Sequence, residues 1–287
     1  LGFLFLALAA GCGHKAGPTT PAGGPPGSEP DSAPAHTLTV REGKAGDKLE
    51  VTTATTGFVD FSGGKDANAK LDQNAAAEYT ETIGEVPAGA VVPTKLTRAY
   101  KKATTFEFLS KMPKPLGYEG KTVMIEKKGA KYEFTAAGQP VTGFDAIELE
   151  GEFRQADKRP ALQVLLPKQP VKIGEPWAIE ASAVQSFLGG MPFVVDPAKS
   201  KATGKLTKAH QQDGRAWGAV AFDFDLAVTG EGGAAGTVKL TGTLDAVTDG
   251  SSPDHTLTMT LTANVADGPN RLTAEVTRTR TVKAVGK

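Results

Sequence analysis

The sequence predicts a mainly β protein: an antiparallel curved sheet, sandwich or partial barrel, with one or two packed helices. Three observations predict it. After residue 36, apolar residues alternate at period two with Thr, Lys and Glu through most of the chain. Turn signals punctuate these runs about every 10 to 15 residues. Aromatic residues are sparse at 7% while the 287-residue chain holds 34 glycines, a composition that suits strands joined by many turns.

The chain opens on Leu4-Phe5-Leu6-Ala7-Leu8-Ala9-Ala10-Gly11, an apolar run ending in small residues, followed by Cys12. The run is shorter than the roughly 20 residues a membrane-crossing helix needs. Residues 1–11 therefore read as the apolar part of a cleaved secretory signal, with a basic segment expected ahead of Leu1. Residues 12–35 follow as a tether rich in Gly and Pro, with too little apolar surface to order itself. As a coil it would span about 25 Å. His14 lies in this tether and is expected to be solvated.

From His36 to Lys287 a β-rich body is expected. Leu38 and Val40, then Leu49, Val51 and Thr53, alternate on either side of Glu42-Gly43-Lys44-Ala45-Gly46, a hairpin pattern. Val59 and Phe61 extend the second strand to Gly63-Gly64. Residues 75–86 read as a strand, ambiguous with a helix near Asn74-Ala75-Ala76-Ala77-Glu78. In residues 95–109, Leu96, Tyr100, Phe106 and Phe108 share one parity. Val123 and Ile125, then Tyr132 and Phe134, flank Lys127-Lys128-Gly129-Ala130 as a second hairpin. Phe144 to Phe153 carries both periodicities and is assigned to a helix, because Glu148, Glu150 and Glu152 are poor strand formers.

Val171-Lys172-Ile173-Gly174-Glu175-Pro176-Trp177 leads into the clearest helical pattern. Pro176 suits a first helical position. Ile179, Ala183, Val184, Phe187 and Leu188 share one face, and Gly189-Gly190 ends it. An all-β tail follows. A turn at Asp213-Gly214 precedes Val220, Phe222, Phe224, Leu226 and Val228. Further strands carry Val238, Leu240 and Leu244, then Leu257, Met259, Leu261, Ala263 and Val265, and last Leu272, Ala274 and Val276. Turn spacing suggests a meander curling into a sandwich or partial barrel. Lys95-Leu96-Thr97-Arg98-Ala99-Tyr100 is similar to Lys205-Leu206-Thr207-Lys208-Ala209-His210, which raises the question of two similar halves, 36–165 and 166–287.

Lys plus Arg equals Asp plus Glu at 32 each, so the net charge is zero and a nucleic-acid partner is not expected. Cys12 is the sole cysteine, which removes internal disulfides and cysteine-based zinc sites. There is no nucleophile elbow and no phosphate-binding loop. The four histidines are scattered, and three lie in the tether or at predicted strand ends, so they read as surface residues rather than metal ligands. Gly230-Glu231-Gly232-Gly233-Ala234-Ala235 matches a dinucleotide fingerprint in spelling, but a strand follows where a helix is needed, so it reads as a hairpin turn. Asp223 and Asp225 share the polar parity of one strand, about 7 Å apart, and read as a solvated face, as do Glu148, Glu150 and Glu152. Arg278 and Arg280 depart from the pattern, because they share the parity of Leu272, Ala274, Val276 and Val282. Either two guanidinium groups face the apolar side, as at a cavity mouth that binds an anionic head group, or a bulge near Thr277 releases them to solvent. Arg98, between Leu96 and Tyr100, shows the same conflict.

Ala9-Ala10-Gly11-Cys12 resembles the lipobox of bacterial lipoproteins, although Leu8 stands four residues before the Cys where the family prefers three. The resemblance implies acylation of Cys12, cleavage before it and anchoring to a membrane. Gly13, rather than Asp, favours the outer membrane of a two-membrane envelope. The body, with its Val171 to Trp177 string, resembles uncharacterised envelope lipoproteins. The expected function is a non-enzymatic binding or structural module with no cofactor or metal. The alternative is a lipid or lipoprotein carrier holding an acyl chain in a curved sheet. Expected partners are the membrane, through the lipid, and a lipid or envelope protein.

Overall fold

Strand after strand buries every second residue, so each has one face fit only for a core. The computed structural model describes residues 34–63, 69–106, 112–153, 160–187, 193–230 and 233–286. Cys12, His14, most of the tether, Phe108, Leu188 and Gly189-Gly190 lie outside the described residues. The strands in chain order are β1 (Lys48–Ser62), β2 (Ala69–Glu85), β3 (Lys95–Phe106), β4 (Pro113–Pro115), β5 (Thr122–Lys128), β6 (Lys131–Ala136) and β7 (Gln139–Pro140). Helix α1 (Gly143–Phe153) comes next, then β8 (Pro176–Ala178), α2 (Ala181–Phe187) and β9 (Phe193–Val195). The tail is β10 (Lys201–Gln212), β11 (Arg215–Gly230), β12 (Ala235–Val247), β13 (His255–Asp267) and β14 (Asn270–Ala284).

Among the described residues these strands form one 14-stranded sheet with antiparallel pairing between neighbours. Its order is β7-β6-β5-β3-β2-β1-β14-β13-β12-β11-β10-β8, with β4 on β3 and β9 on β11. The sheet is mainly β and antiparallel as predicted, and it does not close into a barrel. Its edge strands are two and three residues long and each carries a proline, Pro140 and Pro176, which cannot donate to an added strand.

Two meanders meet at the β1–β14 seam, and each has its own core on the inner face. The first wing packs Tyr79, Ile83, Leu96, Tyr100, Val123, Ile125 and Phe134 beneath Leu149 and Phe153 of α1. The second packs Leu206, Phe222, Phe224, Leu240, Met259 and Leu261 beneath Val184 of α2 and a 3-10 turn at Leu162–Leu165. The seam strands serve both: Leu49, Val51 and Val282 join the first core, while Val59, Ala274 and Val276 join the second. On the outer face, Thr256 and Thr281 are 3.1 Å apart and Thr260 and Thr277 3.3 Å apart, cross-strand pairs of the kind that stabilise a solvated sheet face.

Three expectations are corrected. Leu38 and Val40 do not form a hairpin with β1. They enter the second core, because His36 exchanges two backbone hydrogen bonds with Val171 and the Gln163 side chain bridges the Val40 N–H and the Leu38 carbonyl. Pro176 does not open a helix. Residues 176–178 pair with β10, where the Trp177 indole lies against Gly204 and donates to the Leu165 carbonyl at 3.0 Å, and α2 begins only at Ala181. Phe106 does not share the parity of Leu96 and Tyr100, because a bulge near Lys101 shifts the β2–β3 register and turns Ala103 and Thr105 inward instead. The two similar strings occupy different places, the third strand of one meander and the first full strand of the other. Leu38, Val40, Leu162 and Leu165 pack in the second core.

The hairpins at Lys127 to Ala130 and Asp213-Gly214 form as expected. At the latter, Asp213 and Gly214 both take positive φ, the twist that a two-residue hairpin turn needs. The Gly230 to Ala235 stretch joins β11 to β12, which pair as far as Thr229 and Ala235, so the strand-turn-strand reading holds. Residues 69–85 are strand throughout, and the helix over Phe144 to Phe153 is present as α1.

Candidate anion-binding site

The parity conflict at Arg278 and Arg280 resolves inward. The β1–β14 register runs without a shift through Thr55–Arg278 and Thr53–Arg280, and β13 pairs Met259 with Arg278 and Leu257 with Arg280. No bulge at Thr277 turns them out. Both arginines stand on the inner face between Val276, in the second core, and Val282, in the first. Opposite them on β1 are Thr53 and Thr55, with Gly57 next along opposite Val276, and beyond these on β2 are Ala77, Ala75 and Gln73. The strip between the two cores is thus small, polar and half-buried.

Arg98 reaches the same region from β3. It is 5% exposed, and Glu81 opposite it on β2 is 6% exposed. Its Nε donates to Glu81 Oε2 at 2.8 Å, and one terminal nitrogen donates to both Glu152 of α1 and the Tyr100 hydroxyl. Its guanidinium sits 4.6 Å from the centre of the Tyr79 ring and 5.2 Å from that of Phe153, over their π faces. Glu152 also faces Arg278, at 3.9 Å, and joins α1 to two strands of the sheet.

Among the described residues, charge in this cluster is unbalanced: three guanidinium groups face two ionised carboxylates, Glu81 and Glu152. Burial alone would raise the Glu152 carboxyl, but Arg98, Arg278 and Arg280 outweigh it and hold the group at about 2, so it is ionised at neutral pH. Burial pushes Glu148, one helical turn away, up to about 7, so it carries only part of a charge there. The Thr105 hydroxyl lies 3.4 Å from its Oε2, while its Oε1 is buried without a partner. Burial and repulsion from Arg280 and Arg98 lower the pKa of Arg278 despite Glu152. Arg280 Nε is buried and has no hydrogen-bond partner. Burial likewise lifts Tyr100 to about 12, so its hydroxyl stays neutral while it accepts from Arg98.

The sequence therefore marked Arg98, Arg278 and Arg280, and the fold brings all three together with Glu81 and Glu152. Reading Glu148 and Glu152 as solvated is corrected. A helix places both beside Leu149 and Phe153, where they face Thr105 and Arg98, while Glu150 stays exposed. Glu81 was missed, although its place between Tyr79 and Ile83 is the same conflict that flagged Arg98. Asp223 and Asp225 are solvated as expected, with side chains 57% and 65% exposed and each 3.5 Å from Lys239. The histidines depart from a surface reading. His36 and His210 are half-buried, and His255 is 7% exposed. Among the described residues no group of three His, Cys, Asp or Glu side chains is placed to hold a metal ion.

His255 supplies a pH prediction. Burial first, and Arg280 second, depress its pKa from 6.5 to about 4, while its Nδ1 lies 2.8 Å from the Pro253 carbonyl. A depressed folded-state pKa means the unfolded chain takes up the proton first as pH falls. Stability from this group is therefore whole above pH 6.5 and lost between 6.5 and about 4, a change of about 3 kcal/mol. Glu148, raised to about 7, acts in the opposite sense over much of the same window, so the wild-type curve stays shallow. The readout is the difference between wild type and His255→Gln in urea unfolding. It should move by about 3 kcal/mol in favour of the variant between pH 7 and pH 4. A difference independent of pH would exclude a neutral buried imidazole as the cause.

Fold and cluster together define a class: an open, single-sheet β protein with a buried arginine–carboxylate network beside the seam of two apolar cores. No protein-family model matches the chain, and no curated protein matches it.

Proposed function

We propose that the chain is a non-enzymatic lipoprotein of a bacterial envelope, anchored through Cys12, whose body binds a ligand with an anionic group. The anchoring rests on the lipobox-like Ala9-Ala10-Gly11-Cys12, and Gly13 favours the outer membrane where the envelope has two. One observation carries the binding role: Arg280 faces a half-buried strip on the inner face with Nε unpartnered, beside Arg278, whose charged form burial disfavours despite Glu152. Buried polar groups left unpaired are uncommon and costly. An incoming oxyanion would pair Arg280, offset the cationic excess and add charge-assisted hydrogen bonds.

A carrier that holds an acyl chain is the second reading. It is favoured by the short side chains of Thr53, Thr55, Gly57, Ala75 and Ala77, which leave the sheet low along the strip. Each wing has an apolar core of its own built from large buried side chains, which supports the binding module first.

The test is native mass spectrometry of the chain purified from a bacterial host, followed by titration with oleate and with inorganic phosphate. A co-purifying fatty acid or phospholipid, lost in the Arg278→Ala/Arg280→Ala variant, would establish the carrier. An unliganded mass with oleate or phosphate binding that needs both arginines would establish the anion-binding module. A folded protein that binds neither probe and carries no lipid would overturn both. In the same host, Cys12→Ser should move the chain from the membrane fraction to the soluble fraction.

A further inference from the structure

Helix α1 meets the sheet with the wrong charges for a helix end. Its last turn holds Glu150 and Glu152 and no basic residue. The carbonyl end of a helix repels carboxylates, by about 0.3–1 kcal/mol each when exposed. Glu152 is held there against the helix dipole by Arg98 and Arg278. One turn earlier, the half-buried Glu148 has only the Thr105 hydroxyl at 3.4 Å and a buried, unpaired Oε1, so it contributes little to docking. Leu149 and Phe153 supply the apolar anchoring, with the Phe153 ring 4.6 Å from Tyr132 and 5.9 Å from Phe134. Phe144 and Ile147 on the same helix are 52% and 44% exposed. The polar docking of the helix thus has two ends: Asp145 accepts from the Gly117 N–H at 3.0 Å in the first turn, and the last turn depends on a carboxylate seated between two arginines.

That is the position an anionic ligand would take. From these contacts we infer that Glu152 is a built-in occupant of the anion site: in the free protein its carboxylate stands in for the ligand, and binding displaces it and loosens the end of α1. The inference rests on the anion-binding reading above and deepens it. It also names the ligand chemistry. Glu152 shows that a singly charged carboxylate satisfies Arg98 and Arg278 together, so the ligand group is a carboxylate. Arg280, which Glu152 leaves with Nε unpaired, is the added attraction that lets an external anion compete with an intramolecular one.

Glu152→Gln keeps the shape and the anchoring of Leu149 and Phe153 but removes the competing charge. Titrated with oleate at pH 7, the full-length variant should bind about tenfold tighter than wild type, within the range of typical site-to-site couplings. Acetate and inorganic phosphate run in parallel distinguish a fatty-acid carboxylate from a free anion. In the wild type, saturating oleate should raise amide hydrogen exchange across residues 143–153 while leaving β11 and β12 unchanged. Tighter binding by the variant together with faster exchange in α1 supports the displacement. If wild type binds and Glu152→Gln binds equally or more weakly, displacement is overturned and the anion site stands. If neither protein binds any probe, the anion-binding reading itself falls. Should the variant not fold, the exchange measurement on wild type decides, and unchanged protection of α1 at saturation overturns the displacement.

Discussion

Arg98→Met should lower unfolding free energy by about 3–5 kcal/mol, the cost of removing one partner from a buried ion pair. The variant keeps much of the arginine's volume, so the loss is electrostatic. Glu81, 6% exposed, would lose its guanidinium partner inside the first core, and Glu152 would lose its closer arginine. The cation over the Tyr79 and Phe153 rings goes too. Against a typical domain stability of about 5–15 kcal/mol, this is about a fifth of the total or more. Arg98→Lys should recover only part of it, since a single ammonium cannot reproduce the fork that serves Glu81 through Nε and Glu152 and Tyr100 through a terminal nitrogen. Arg98→Met/Glu81→Leu should be markedly more stable than Arg98→Met alone, because the stranded carboxylate is gone. Urea titrations of the four proteins at pH 7 check this, and a loss below about 1 kcal/mol for Arg98→Met would mean that water reaches the cluster and screens it.

Gly57→Ala should be nearly as damaging, for a steric reason. Gly57 lies mid-strand in β1 at φ +135°, where residues with a Cβ are strained by about 1–3 kcal/mol. A Cβ there would stand 2.0 Å from the Glu275 carbonyl oxygen and 2.8 Å from the Val276 Cα, both backbone atoms that cannot swing aside. The adjacent β14 would have to move, and the β1–β14 ladder is the only strand pairing that joins the two wings among the described residues. The expected loss is about 3 kcal/mol or more, from strain plus broken ladder bonds. Amide exchange should rise first in residues 53–59 and 274–280. Gly46→Ala is the control: Gly46 also has positive φ, +85°, but a Cβ there would meet nothing within 4 Å. It should cost about 1 kcal/mol, strain alone. Equal losses at the two positions would show that the close approach of β1 and β14 contributes nothing.

These two residues separate what is readable in the chain from what is not. The sheet was legible because burial on one face imposes a period of two. Val220 to Val228 and Leu257 to Val265 state that period without interruption, and the β11 and β13 burial patterns repeat it. Arg98, Arg278 and Arg280 were legible by the same rule, since a cation at an apolar position of a strand has to be paired inside or bulged out. Which of these happens depends on register, and register is a property of two strands. Only the assembled sheet aligned Thr53 with Arg280 without a bulge, and inserted one at Lys101 that turned Thr105 toward Glu148.

Partners distant in sequence were likewise beyond the pattern. Glu152 meets Arg98 across 54 residues and Gln163 meets Val40 across 123, and no local periodicity records which segment will cover which core. Leu38 and Val40 carry a hairpin's alternation yet enter the other wing, because alternation states that a face will be buried and is silent about what buries it. By itself the sequence determined the alternating faces, the turns and the three misplaced arginines. The tertiary structure alone decided that those arginines share one site, because the free energy of a buried charge depends on which carboxylates the fold brings within reach.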